Sequence, residues 1–133
     1  MASSPDYLEQ ARTWYKDAVN DFRAGLRKEE DVLLRNAAEK GWNAVVQATH
    51  ALLEQFGIAA PLGERERRQG LLEIEKGDRD IRRKAFRDRY MAREQSLHEW
   101  CFYEGLYDTE LLKEDLWKVR RYVEDVARIV QEE

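Results

Sequence analysis

Apolar residues return at intervals of three and four along almost the whole chain, and no stretch alternates in the two-residue rhythm of a strand. That pattern admits one kind of element, the amphipathic helix. It is seldom interrupted: the 133 residues hold two prolines and seven glycines. The expected fold class is all-α, an up-and-down bundle of four main helices plus one short helix, forming a single domain over residues 1–133. A chain of this length is large enough to bury a core.

The first helix is expected to open at Ser4-Pro5, with serine as N-cap and proline in the first turn. Leu8, Ala11, Tyr15, Ala18, Val19 and Phe22 follow on one side, and Gly25 lies near the end. The second helix, about 29–56, carries two stripes. One is small (Ala37, Gly41, Ala44, Ala48, Ala51, with Val45 and Leu52 alongside), and the other is bulkier (Trp42, Val46, Thr49, Leu53). A helix with one buried face needs one stripe. Two stripes place this helix centrally, or between the bundle and a partner subunit. The small residues let another backbone approach, at a cost of about 1 kcal/mol for glycine relative to alanine at Gly41.

Gly57 to Gly63 is the clearest break, followed by a short charged helix over about 64–76. Gly77-Asp78 separates it from a long segment over about 79–103. The chain turns at 105–108, with Asp108 as N-cap of the last helix. Leu112, Leu116, Val119, Val123, Val126 and Val130 then form a heptad-like seam, suited to near-antiparallel packing.

Charge and cysteine usage exclude several classes. The net charge of −4 argues against binding polyanions over the whole surface. Charged residues reach 38% with both signs interspersed, well above the roughly 25% usual for soluble domains, which points to solvated helix faces. Cys101 is the one cysteine, so no internal disulfide forms, and a lone Cys with a single nearby His is no zinc site. Neither metal nor cofactor is expected. No apolar run approaches the roughly 18 residues of a membrane span, and the N-terminus lacks a signal pattern. A soluble, cytoplasmic protein without membrane contact is expected.

The chemistry gathers between Phe86 and Gly105. Phe86, Tyr90, Leu97, Trp100 and Cys101 form an apolar stripe, and Arg93 and Glu104 fall in its sector. An uncompensated buried charge costs several kcal/mol. Arg93 therefore pairs with a carboxylate (Glu104 or one on a neighbouring helix), binds an anion, or lies beside a groove. Histidine titrates near physiological pH and the guanidinium fork fits phosphate. Arg93 and His98 together can bind and cleave a phosphodiester without a metal. On an unbroken α-helix, residues five apart point about 140° apart. The two converge only if the helix is distorted or the arginine curls round; otherwise His98 is a half-buried side chain with no catalytic task. His50 has nothing beside it that suggests chemistry. Arg79, Arg82, Arg83, Lys84, Arg87 and Arg89, opposed by Asp78, Asp80 and Asp88, either attract a nucleic-acid backbone or form a solvated, paired face. Tyr90, Trp100, Phe102 and Tyr103 either stack on bases or fill a core.

Arg93 and His98, separated by four residues in the last third of an all-α chain, resemble the signature of the HEPN superfamily (higher eukaryotes and prokaryotes nucleotide-binding domains). Ala37-Ala38-Glu39-Lys40-Gly41-Trp42-Asn43-Ala44 resembles that superfamily's second-helix motif. Leu97-His98-Glu99-Trp100-Cys101-Phe102-Tyr103-Glu104-Gly105 is similar to the corresponding run of its PaREP-type branch. The resemblance covers about 7–130. It implies a helical homodimer with the Arg/His site opening to a groove at the interface. Many members are metal-independent ribonucleases; others partner nucleotidyltransferase chains.

Carried over to this chain, the resemblance makes Arg93 and His98 the catalytic residues. Arg93 would hold the scissile phosphate, and His98 would act as general base on the ribose 2′-hydroxyl or as acid toward the leaving 5′-oxygen. Arg89, Glu94, Trp100 and Tyr103 are the candidate substrate contacts. Two positions depart from the superfamily pattern. Glu94 stands where active members often have Asn, Asp or His, and its charge would repel phosphate if it faced the groove. Trp100 stands where nucleotidyltransferase-paired members often carry a tyrosine. Three functions follow: an RNA-cleaving or RNA-binding homodimer, a non-catalytic module for a nucleotide or a nucleotidyltransferase chain, and a purely structural helical dimer.

Overall fold

The computed structural model describes residues 2–131, which fold as an all-α bundle. Helix α1 spans Ser4–Lys28. Its N-cap is Ser3, one residue before the expected Ser4. The reason lies three residues on. Asp6 returns a bond to the Ser3 N–H at 2.9 Å while the Ser3 hydroxyl accepts from the Asp6 N–H, closing a capping box. Ser4 has Tyr7 in that position, which cannot reciprocate. At the other end the chain reverses at Glu29, whose φ is 53°, and the Glu30 N–H donates to the Gly25 carbonyl at 3.1 Å. Gly25 sits within α1 and is buried; a Cβ there would lie 2.8 Å from the Leu34 side chain. Its absence lets the start of the next helix cross closely.

Helix α2, Asp31–Gln55, packs against α1 and against every longer element that follows it. Both stripes face the core: Ala37, Ala44, Ala48 and Ala51 are buried on one, and Trp42, Thr49 and Leu53 on the other, where Val46 is half-buried. Gly41 has a specific task. A Cβ there would come within 2.8 Å of a Leu116 methyl and 3.5 Å of a Leu97 methyl. The last helix and the candidate-site segment therefore both close on α2 at this glycine.

Helix α3 spans Glu64–Gly77. The expected continuous segment over 79–103 is instead three pieces. A short α4, Arg79–Arg83, is capped by Asp78, whose carboxylate accepts from the Asp80 and Ile81 N–H groups. Ala85 then adopts φ 54°, a left-handed conformation uncommon for a residue with a Cβ, and breaks the run. Helix α5, Phe86–Arg93, follows and passes directly into a π-helical segment, Glu94–Tyr103. The last helix, α6, spans Thr109–Gln131, with Asp108 accepting from the Leu111 N–H at 2.8 Å. All six seam residues of α6 are buried. Aromatic contacts lock the centre: Trp42 against Tyr90 at 5.0 Å and Phe86 edge-on to Tyr122 at 5.4 Å. No strand occurs among the described residues, and no described helix is long and apolar enough to cross a membrane.

Candidate functional site

The π-helical segment changes how its residues relate. A π-helix bonds residue i to residue i+5, so residues five apart lie about one turn apart, where in an α-helix they diverge. Arg93 closes α5 and His98 lies five residues on, inside the π-helical segment, so the winding between them narrows the angle that an unbroken α-helix would set. The same winding disrupts the expected apolar stripe. Phe86, Tyr90, Leu97 and Cys101 are buried, but Trp100 rotates outward and is exposed. Arg35 holds the end of the segment by donating to the Phe102 carbonyl at 2.6 and 3.0 Å and to the Tyr103 carbonyl at 2.9 Å.

The two side chains then part. Arg93 reaches α6, where its Nη2 lies 3.5 Å from Asp115 Oδ1, and its Nε donates to Ser96 Oγ at 3.3 Å. The Arg93 side chain is 12% exposed and that of Asp115 is 18% exposed. Burial lowers the guanidinium pKa from its ordinary value, and Asp115 partly restores it. Burial raises the Asp115 carboxyl, and the Arg93 cation opposes that rise. The carboxylate partner of Arg93 is thus Asp115 on a neighbouring helix, and Glu104 is exposed.

His98 reaches α2. Its Nδ1 lies 2.7 Å from Glu39 Oε1. An ionised carboxylate only accepts, so Nδ1 carries the proton and donates. In the neutral ring Nε2 is then left with its lone pair, 3.9 Å from the half-exposed Glu64 on α3. The imidazole stacks on Trp42 at 5.9 Å, and Tyr103 meets it edge-on at 4.8 Å. These contacts hold the ring plane, and the Glu39 carboxylate favours the proton on Nδ1. No hydrogen bond or ion pair joins Arg93 to His98 among the described residues.

The remaining candidates divide. Glu94 is buried, and both its oxygens lie 3.2 Å from Arg68 Nη1 on α3. Burial raises its carboxyl pKa, and neighbouring Glu64 adds to the rise. Glu94 therefore faces a cation inside the bundle. Arg89 pairs with Asp125 at 2.9 Å and lies over the Phe86 and Tyr122 rings. Tyr103 is 66% exposed beside His98. Arg89 and Arg93 line a groove of about 530 Å³ between α5 and α6. Of the expected basic cluster, Lys84 and Arg89 reach this groove, while Arg79, Arg82 and Arg83 remain exposed on α4.

Glu39, Asp115, Ser96 and Trp42 complete the surroundings of the pair, and none was assigned a role from sequence. Glu39 stood within the second-helix stretch, but its meeting with His98 joins positions 59 residues apart. His50 is buried and structural: the Leu62 N–H donates to its Nε2 at 3.1 Å, pinning the loop after α2. Among the described residues no group of three or more His, Cys, Asp or Glu side chains is placed to hold a metal ion.

A sequence model described as the Archaeal PaREP1/PaREP8 family matches residues 7–123. No curated protein and no solved structure matches the chain.

Proposed function

The chain belongs to the archaeal PaREP1/PaREP8 family, and from that premise we propose that it is a HEPN-type RNA-cleaving domain of the cytoplasm, metal-independent and active as a homodimer. The observation that carries this reading is the Glu39–His98 bond at 2.7 Å. It joins the two stretches that resemble the superfamily, one on α2 and one on the π-helical segment. It also favours the form a general base needs, with Nδ1 donating to a carboxylate and the Nε2 lone pair, 3.9 Å from Glu64, left to take a proton. In this reading His98 Nε2 takes the ribose 2′-proton, and Arg93 stabilises the charge that develops on the phosphate. Arg93 then exchanges its long contact to Asp115 for the phosphate. Trp100 and Tyr103 on the segment and Leu106 just after it are exposed, a face that suits a second copy of the chain.

A second reading has its own support. Glu39, Glu64 and Glu94 cluster around the His98 side of the segment, which disfavours a polyanion there. That arrangement favours a non-catalytic module that binds a nucleotide base or a nucleotidyltransferase chain. One experiment separates the two. Mixed RNA is incubated with wild type and His98→Ala in the presence of a chelator, with circular dichroism to verify the fold. The nuclease reading expects cleavage by wild type and a loss of about 10²–10⁴-fold in the variant. Wild type that leaves RNA intact, or cleavage undiminished in His98→Ala, would refute it.

A further inference from the structure

We propose that the groove between α5 and α6, which includes Arg93 and does not include His98, is a binding track for a single strand of nucleic acid; that the strand is RNA rests on the nuclease reading above. The groove has a volume of about 530 Å³. Lys84, Arg89, Arg93, Lys118 and Arg121 line it, against Asp88 and Asp125. This positive excess stands out in a chain whose net charge is −4.

The charges are not equivalent. Asp125 is held by Arg89 at 2.9 Å and by Arg128 at 3.9 Å, so its charge is compensated within the protein. Arg89 is fixed by that pair and by the rings beneath it, and forms wall. Lys84, Lys118 and Arg121 stand exposed on the rim. They can meet phosphates without first breaking a buried pair.

The second element of recognition is aromatic. Trp117 lies on the same groove and is 47% exposed, although the seam of α6 faces the core on the other side. The Arg121 guanidinium lies 5.2 Å from its ring centre. A cation over an exposed indole, flanked by further cations, is how proteins hold an unpaired strand: phosphates on the charges, a base on the ring. An acidic peptide would use the charges, and would use the ring only through an aromatic or apolar side chain of its own. Duplex bases are stacked on each other and cannot use it.

The test is fluorescence anisotropy with a short labelled single-stranded RNA of mixed sequence, titrated over a series of salt concentrations. The background is His98→Ala in the 133-residue chain, which keeps the probe intact if the nuclease reading is right. Lys118→Glu/Arg121→Glu is expected to weaken binding by about tenfold or more and to flatten the salt dependence by about 1.4 in log–log slope, at about 0.7 per phosphate contact. Trp117→Ala is expected to weaken binding roughly tenfold while leaving that slope unchanged. Lys118→Gln/Arg121→Gln repeats the charge test should the reversal disturb the fold. Unchanged affinity in these variants would overturn the proposal. So would an equal loss when Arg12 and Lys16, exposed on α1, are reversed, or duplex RNA binding as tightly as the single strand. Preference for polyglutamate over RNA would also overturn it and assign the face to an acidic protein. Cleavage is scored separately in wild type, so strand binding without cleavage sinks the nuclease reading and leaves the track standing.

Discussion

The junction of α2 with α6 contains a buried hydroxyl pair whose direction can be worked out, and it yields a sharp prediction. Thr49 Oγ1 donates to the Val45 carbonyl at 2.8 Å, which uses its only proton. The Tyr122 hydroxyl, 2.6 Å from the same oxygen, must therefore be the donor. Both residues are fully buried. Tyr122→Phe removes the donor and leaves Thr49 with its own bond intact, so the cost is that of one net hydrogen bond, about 0.5–1.5 kcal/mol. Thr49→Val keeps the shape but leaves the Tyr122 O–H facing no acceptor. An orphaned buried donor costs about 1–3 kcal/mol. The substitution that keeps the number of heavy atoms is thus the more damaging. Combining the two removes donor and acceptor together, and the double variant is expected to be no worse than Thr49→Val alone. Urea unfolding followed by far-UV circular dichroism measures all three, with an unchanged m-value as the condition for comparison. Tyr122→Phe costing more than Thr49→Val, or a double variant whose loss equals the sum of the singles, would refute the assigned direction.

Two further outcomes follow from burial. Burial holds the His50 pKa below its ordinary value, with Arg67 adding to the effect. The unfolded state then takes the proton first, so stability is intact above about pH 6.5 and declines as pH falls through that value. His50→Gln is expected to lack this component, which denaturant midpoints between about pH 7 and pH 5 will detect as a shallower slope; an unchanged slope would exclude His50 as its source. Burial also pushes the Cys101 thiol up to about 12, leaving almost no thiolate near neutrality. Ellman's reagent at about pH 8 is expected to leave the folded protein unmodified and to titrate one thiol in urea; rapid reaction of the folded chain would contradict the burial.

The sequence revealed the parts of this fold that depend on side-chain periodicity. The seam of α6 and the double stripe of α2 needed only spacing, and every residue of both is buried except the half-buried Val46. What it concealed depends on backbone geometry or on distant partners. Ala85 breaks the segment before α5 in a left-handed conformation, and alanine gives no warning of that. Ser3 outcompetes Ser4 because of Asp6, a signal present in the sequence but legible only when the capping partner is counted as well. The π winding over 94–103 has no residue signature, since it shifts a backbone ladder and leaves composition untouched. The sequence leaves Arg93 a carboxylate, an anion or a groove, and the choice of Asp115 over Glu104 is made by how α6 lies against α5. Glu39 was in plain view, but nothing in its neighbours announces an imidazole from a segment far along the chain.

The loose winding after α5 means that a motif written in letters is an incomplete description of this protein. Two chains could share the arginine, the histidine and the gap between them, yet one wound tightly would splay the pair about 140° apart. A family search that matches spelling would score both alike. Only the backbone tells how far apart the same letters point.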